Sequence, residues 1–286
     1  MRASSKKGGA LGGSLCLDSH AKLNLTLNVF PKLESGLHPI HSIFQEISLH
    51  DTVDICYTKS NSPSLTLISE GICMPTDNTN IYSKIFLHFK DKLTHDYTLT
   101  TTKRIPLGSG MGGASTNAAS FLKALIKIEG WNWTETDFIN ASTQFGSDIA
   151  FFIRGGSQLI SGVGQVLSST TVSPPSHYII IHPHIHCSTK EVYDTFDTLY
   201  KPSQTLPSPS SDIGYNDLFL PVMTRYPEMK DIHDSLSTLL RSPVYLTGSG
   251  STFFICLTDT LHAKPLIDKL KDHYPHFFVE IVSAIL

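Results

Sequence analysis

From Ala21 the chain sets apolar Ala21, Leu23, Leu25, Leu27 and Val29 against polar Lys22, Asn24, Thr26 and Asn28. A period of two is that of a strand with one apolar face. Further strand-like runs occupy 43–49, 53–58, 64–68 and 97–102, and the helical spacing of Ile81, Ile85 and Phe89 predicts a helix over 79–89. Strands that open the chain and then mix with helices indicate an α+β fold rather than a regular parallel βαβ series.

A glycine-rich stretch follows, and after it Ala118, Phe121, Leu122 and Leu125 form the stripe of an amphipathic helix with Gly130 as its stop. Thr134 with Asp137 three residues on predicts the N-cap of a second helix ending near Gly146. The pattern breaks at Gly155 and Gly156. Beyond it come a strand at 177–182, a helix at 190–200, a Pro/Ser-rich loop at 202–211, and helices at 217–223 and 229–240. A strand at 244–246 follows, then strands at 253–257 and 276–282 around a helix at 261–273. A boundary near Gly156 divides the chain into an N-terminal domain, 21–156, and a C-terminal domain, 157–286. Residues 1–20, rich in Ser, Gly and Lys with no acidic residue before Asp18, are expected to be a disordered leader or an expression tail.

Composition narrows the function classes. Of 286 residues 40% are hydrophobic and 16% charged, which is ordinary for a globular protein with a sizeable core. The formal net charge of −3 gives no bulk attraction to nucleic acid or anionic lipid, so neither is an expected partner. No apolar run approaches the ~20 residues that span a bilayer. Five scattered cysteines without a CxxC point to reduced thiols in a cytosolic compartment.

The chemistry concentrates in Pro106, Leu107, Gly108, Ser109, Gly110, Met111, Gly112, Gly113, Ala114, Ser115 and Thr116, between a strand and a helix. Glycines let backbone N–H groups turn toward a ligand, and the helix N-terminus beyond adds about half a positive charge. The hydroxyls of Ser115 and Thr116 fall in the first helical turn, within reach of a phosphate oxygen or a magnesium ion. This is the make-up of a phosphate cradle, although a tight strand–helix turn would share it. It is not a Walker A loop, because no lysine lies between Arg104 and Lys123. Nor is it a Rossmann fingerprint, because two helical stretches follow it instead of the next strand.

Three weaker signals accompany the loop. Asp148, in Gly146-Ser147-Asp148, precedes an apolar run, where a plain N-cap is the competing use. Lys22 and Asn24 share the polar face of the first strand, which would ordinarily be a solvated face. Thr247, Gly248, Ser249 and Gly250 form a second glycine loop after a strand.

In this order, the elements resemble those of the GHMP kinase superfamily, over nearly all the chain from Ala21. The resemblance implies a two-domain fold, with an N-terminal ribosomal-protein-S5-domain-2-like part and a C-terminal ferredoxin-like part. It also implies ATP as phosphoryl donor on the residues from Pro106 to Thr116, with Mg2+ and Ser115 as its candidate ligand. Within the superfamily, Ala21-Lys22-Leu23-Asn24-Leu25, Gly146-Ser147-Asp148 and Tyr215-Asn216-Asp217-Leu218 are similar to motifs of the branch that phosphorylates cytidine diphosphate-linked methylerythritol. By that resemblance Asp148 is the catalytic base and Lys22 its partner. Asn24, His38, Tyr193, Thr247, Gly248, Ser249 and Gly250 bind the acceptor, with His38 and Tyr193 at its base. Where the branch often carries an aromatic residue before the histidine, this chain has Leu37. Expected alternatives are a homoserine or mevalonate type of kinase, or a non-catalytic nucleotide-binding regulator. The expected setting is the bacterial cytoplasm, with a plastid stroma as the other possibility, and the expected assembly is a monomer or weak homodimer.

Other groupings are read as structural. His182, His184 and His186 alternate, but Pro183 interrupts them and no carboxylate at ligand spacing completes a zinc site. No Gly-x-Ser-x-Gly elbow supports a hydrolase. Asp51 and Asp54 are read as a turn and strand edge, and Trp131 and Trp133 as helix-end packing.

Overall fold

The computed structural model describes residues 12–200, 212–257, 259 and 263–286. Its strands are β1 (Gly12–Asn24), β2 (Asn28–Val29), β3 (Ile40–Lys59), β4 (Leu65–Gly71), β5 (His95–Lys103), β6 (Ser157–Gly162), β7 (Val166–Ser169), β8 (His177–His182), β9 (Tyr245–Leu246), β10 (Phe253–Leu257) and β11 (Phe278–Ser283). Its helices are α1 (Ile81–Phe89), α2 (Gly113–Glu129), α3 (Glu135–Ser142), α4 (Phe151–Arg154), α5 (Thr189–Leu199), α6 (Phe219–Arg225), α7 (Pro227–Leu240) and α8 (Ala263–His273). The fold is α+β, as the mixed pattern predicts.

The described residues form two compact units. One takes those up to Ala21, Leu49–Leu107 and Gly112–Ile153; the other takes Lys22–Ser48, Gly108–Met111 and those from Arg154 onward. The two are interleaved along the chain, in place of the single cut expected near Gly156.

In the first unit, Thr52–Lys59 of β3 pairs antiparallel with β5, and β4 runs parallel to β5, from Leu65 opposite Tyr97 to Gly71 opposite Lys103. Its core joins Val53, Ile55, Tyr82, Tyr97, Leu99, Phe121 and Leu125, all at most 1% exposed. The predicted stripe of α2 is buried, and Gly130 ends that helix in the left-handed region at φ 68°. Thr134 caps α3 in a reciprocal box with Asp137, and α3 ends at Ser142, short of Gly146.

The expected leader is corrected in part. Residues 12–20 belong to β1, with Leu15, Leu17 and Ser19 buried and Ser19 Oγ donating to Ser120 Oγ at 2.7 Å. Residues 1–11 lie outside the described residues, as does the loop expected at 202–211.

In the second unit, Ile40–Gln45 of β3 pairs antiparallel with β6, which pairs with β7; neither of these strands was read from the sequence. A separate antiparallel sheet has the order β11-β8-β10-β9. Numbered within the sheet by chain order, this is 4-1-3-2, the ferredoxin-like arrangement expected for the C-terminal part. Ile179, Ile181, Phe253 and Ile255 of this sheet share a buried cluster with Val192 and Phe196 of α5, Val222 of α6, Met229 and Leu236 of α7, and Leu270 of α8.

Candidate active site

The expected strand at 21–29 divides into the end of β1 and the short β2, and its polar face is not solvated. Lys22, Asn24, Thr26 and Asn28 are at most 5% exposed. A buried lysine and a buried amide both need partners. Lys22 Nζ donates to Asn24 Oδ1 at 2.6 Å and stands 4.6 Å from the centre of the Phe44 ring, a cation–π distance. Asn24 Nδ2 donates to Ser42 Oγ at 3.0 Å, and Asn24 N–H donates to Thr247 Oγ1 at 2.8 Å. Lys22 N–H in turn donates to the Met111 carbonyl at 3.0 Å.

The two glycine loops therefore meet at this strand. Gly110 has φ 77°, and a Cβ there would lie 2.8 Å from the carbonyl oxygens of both Thr247 and Gly250. Thr252 N–H donates to the Ser109 carbonyl at 3.3 Å. Only glycine satisfies both the left-handed backbone and the close approach. Thr189 and Ser249 hydroxyls lie 2.9 Å apart, which ties the second loop to α5.

Asn216, in the motif Tyr215-Asn216-Asp217-Leu218, fastens this arrangement from behind. Its Nδ2 donates to the carbonyls of Leu246 and Gly248, each at 2.9 Å, while its Oδ1 accepts from Leu218 N–H at 2.8 Å. Asp217 accepts from Val29 N–H and from the Tyr215 hydroxyl at 2.8 and 2.7 Å. The motif thus holds the second loop and β2.

In the first unit, α2 opens at Gly113 after Gly112 at φ 72°, with no side chain capping it and no acidic residue in its first turn. The first N–H groups of a helix lack intrahelical partners, so the start of α2, where Ser115 also lies, is suited to an anion. Beneath it lies a charge pair between Lys103 and Asp51, the latter expected from the sequence, with Asp54, at a turn and strand edge. Asp51 is fully buried; it accepts from Lys103 Nζ and from the N–H groups of Arg104 and Ile105 at 2.8 and 2.9 Å. Burial pushes the Lys103 ammonium below its ordinary range, and Asp51 pulls it back. Lys103 Nζ occupies the space where a Cβ of Gly113 would stand, at 2.9 Å. Asp148 stands half-buried in the turn that precedes α4.

His38 is buried in the second unit. Its Nδ1 lies 2.9 Å from the Phe30 carbonyl, its Nε2 lies 3.3 Å from Asp197 Oδ1, and its ring centre is 5.0 Å from that of Tyr193. The expected neighbours His38 and Tyr193 are together, while Leu37 is 55% exposed. Ser42, Phe44 and Asp197 were missed, since a polar or aromatic residue on a strand or helix carries no local signal of which distant group it meets.

A buried lysine and amide beside two interlocked glycine loops, in a fold with a ferredoxin-like half, define the GHMP kinase class. Residues 80–156 match the family model described as the GHMP kinases N terminal domain. The 4-diphosphocytidyl-2-C-methyl-D-erythritol kinase of Marinomonas sp. (strain MWYL1) is 31% identical over 251 residues, covering 87% of this chain and 81% of that protein. Its counterpart from Caldicellulosiruptor saccharolyticus is 28% identical over 90% of this chain and 93% of its own. The crystal structure of a 4-(cytidine 5'-diphospho)-2C-methyl-D-erythritol kinase superposes with a TM-score of 0.73 at 24% identity, over 94% of this chain and 99% of that one. The chain belongs to the 4-diphosphocytidyl-2-C-methyl-D-erythritol kinase family.

Proposed function

We propose that the chain transfers the γ-phosphoryl group of ATP to the 2-hydroxyl of 4-diphosphocytidyl-2-C-methyl-D-erythritol, an alcohol-acceptor phosphotransfer on the non-mevalonate route to isoprenoids. Membership of the family, over most of the length of both chains, carries this assignment. The acceptor oxygen attacks the γ-phosphorus in line, the bond to the β–γ bridging oxygen breaks, and ADP leaves. Asp148 takes the hydroxyl proton. Lys22 supplies positive charge as negative charge develops on the transferred group, where a preorganised cation is worth most.

The residues from Pro106 to Thr116 bind the triphosphate, the first-turn N–H groups of α2 facing its oxygens. The Ser115 hydroxyl is the candidate protein ligand of Mg2+, which would supply positive charge to the bound triphosphate. Asn24, Thr247, Gly248, Ser249 and Gly250 hold the acceptor, with His38 and Tyr193 at its base. The proposed setting is the bacterial cytoplasm, as a monomer or weak homodimer without a nucleic-acid partner.

A coupled ADP-release assay with ATP, magnesium and a panel of acceptors tests the assignment. Turnover with the cytidyl compound alone, and none with mevalonate, homoserine or galactose, is expected. Turnover confined to another acceptor overturns the substrate, and ATP binding without turnover on any of them makes the chain a regulator.

A further inference from the structure

The first glycine-rich loop, 106–112, leaves β5 at one end and enters α2 at the other, and the same buried ion pair meets it at both ends. The side chains of Asp51 and Lys103 are at most 2% exposed. Asp51 Oδ1 accepts from the N–H groups of Arg104 and Ile105 at 2.8 and 2.9 Å, just past the end of β5. Asp51 Oδ2 accepts from Lys103 Nζ. That ammonium stands against the far end of the loop. A Cβ on Gly113, the first residue of α2, would lie 2.9 Å from Nζ and 3.1 Å from Ile105 Cγ2. One carboxylate thus holds the entry of the loop through two backbone N–H groups and its exit through a lysine.

The residue types suit that task. A carboxylate meets the three donors with two oxygens, both acceptors, whereas an amide has one oxygen and an NH2 group. With its oxygen on the two N–H groups, an amide at position 51 turns its NH2 against the ammonium; turned the other way, it releases the loop entry. Stability alone does not call for such a pair, since packed apolar side chains of similar volume often serve as well. A phosphate cradle, in contrast, depends on where its backbone N–H groups point. We propose that Asp51 and Lys103 are positioning residues for the nucleotide, setting the spacing between positions 105 and 113 at which the loop fits a triphosphate. Their side chains act through the backbone they hold. The inference rests on the ATP site proposed above.

The test is Kd for ATP by calorimetry, beside stability in urea, in the wild-type protein, in Asp51→Asn and in Asp51→Asn with Lys103→Met. In the double variant no buried charge remains, and the Asn oxygen can still take both N–H groups, so stability should largely return. Methionine lacks the terminal atom that stands against Gly113. Kd for ATP is therefore expected to stay raised by about tenfold in the double variant, the scale of one lost hydrogen bond to a charged group. KM for the cytidyl compound should be unchanged. The double variant decides the matter even where Asp51→Asn alone fails to fold. A Kd that returns to the wild-type value together with stability makes the pair merely structural and overturns the inference, as does a Kd unchanged in both variants. Absence of ATP binding by the wild-type protein overturns the nucleotide site itself, and the inference with it.

Discussion

Gly248 approaches Asn24 so closely that a Cβ at position 248 would lie 3.2 Å from Asn24 Oδ1, the same oxygen that accepts from Lys22 Nζ. The identity of one residue in the second glycine loop therefore governs the position of the buried ammonium. A turn glycine and a strand lysine, 226 positions apart in the sequence numbering, meet through one amide.

Gly248→Ala tests this coupling. Position 248 has φ 57°, where a side chain costs about 1 kcal/mol or more, and the added methyl presses on Asn24. The expected outcome is a lower melting temperature together with a fall in kcat greater than the stability loss explains. Unchanged turnover would uncouple the loop from Lys22.

The pair beneath α2 yields a second expectation. Removing one member of a buried ion pair strands the other charge and costs about 3–5 kcal/mol, whereas replacing both is often far milder. Asp51→Asn should thus lower stability in urea by that order, and Asp51→Asn with Lys103→Met should recover a good part of it. Additive losses in the double variant would show that the two residues act separately.

Stability should also depend on pH through His182. This side chain is buried, with Nδ1 3.2 Å from the Ser251 hydroxyl and 3.3 Å from that of Thr252. Burial, and then the neighbouring His184, bring its pKa down from 6.5 to about 4. Between those values the unfolded chain binds a proton that the folded chain does not. Stability is therefore full above about pH 6.5 and falls as the pH drops toward 4, by about 3 kcal/mol from this group. Urea unfolding across that range should show the slope in the wild-type protein and its reduction in His182→Gln. Equal slopes would remove His182 as the cause.

Much of this architecture is legible in the sequence because it follows local rules. Thr134 and Asp137 spell a capping box, the stripe from Ala118 to Leu125 spells α2, and β8 and β10 fall at the residues their apolar runs indicate. The expected runs at 43–49 and 53–58 are one strand, β3, because His50, Asp51 and Thr52 stay extended between them, with Thr52 already paired opposite Thr102. The start of β1 is hidden because Leu15, Leu17 and Ser19 alternate inside a stretch whose glycines and serines resemble a linker. Lys22 and Asp51 look solvated because their type says surface; Phe44 beside Lys22 and Lys103 beside Asp51, brought by distant segments, help make their burial tolerable. A charged residue in a core is hard to read locally where such partners are not its neighbours in sequence.

The most direct measurement is the phosphorus NMR spectrum of a reaction containing ATP, magnesium and 4-diphosphocytidyl-2-C-methyl-D-erythritol, with the wild-type protein and with Asp148→Asn. The wild-type protein is expected to produce one new phosphomonoester at the 2-position for each ADP formed. Asp148→Asn should still bind ATP, while forming the ester about 10²–10⁴ times more slowly, the usual scale for loss of a positioned base. ADP formed without the ester, or ester formed at the wild-type rate by Asp148→Asn, would contradict the account.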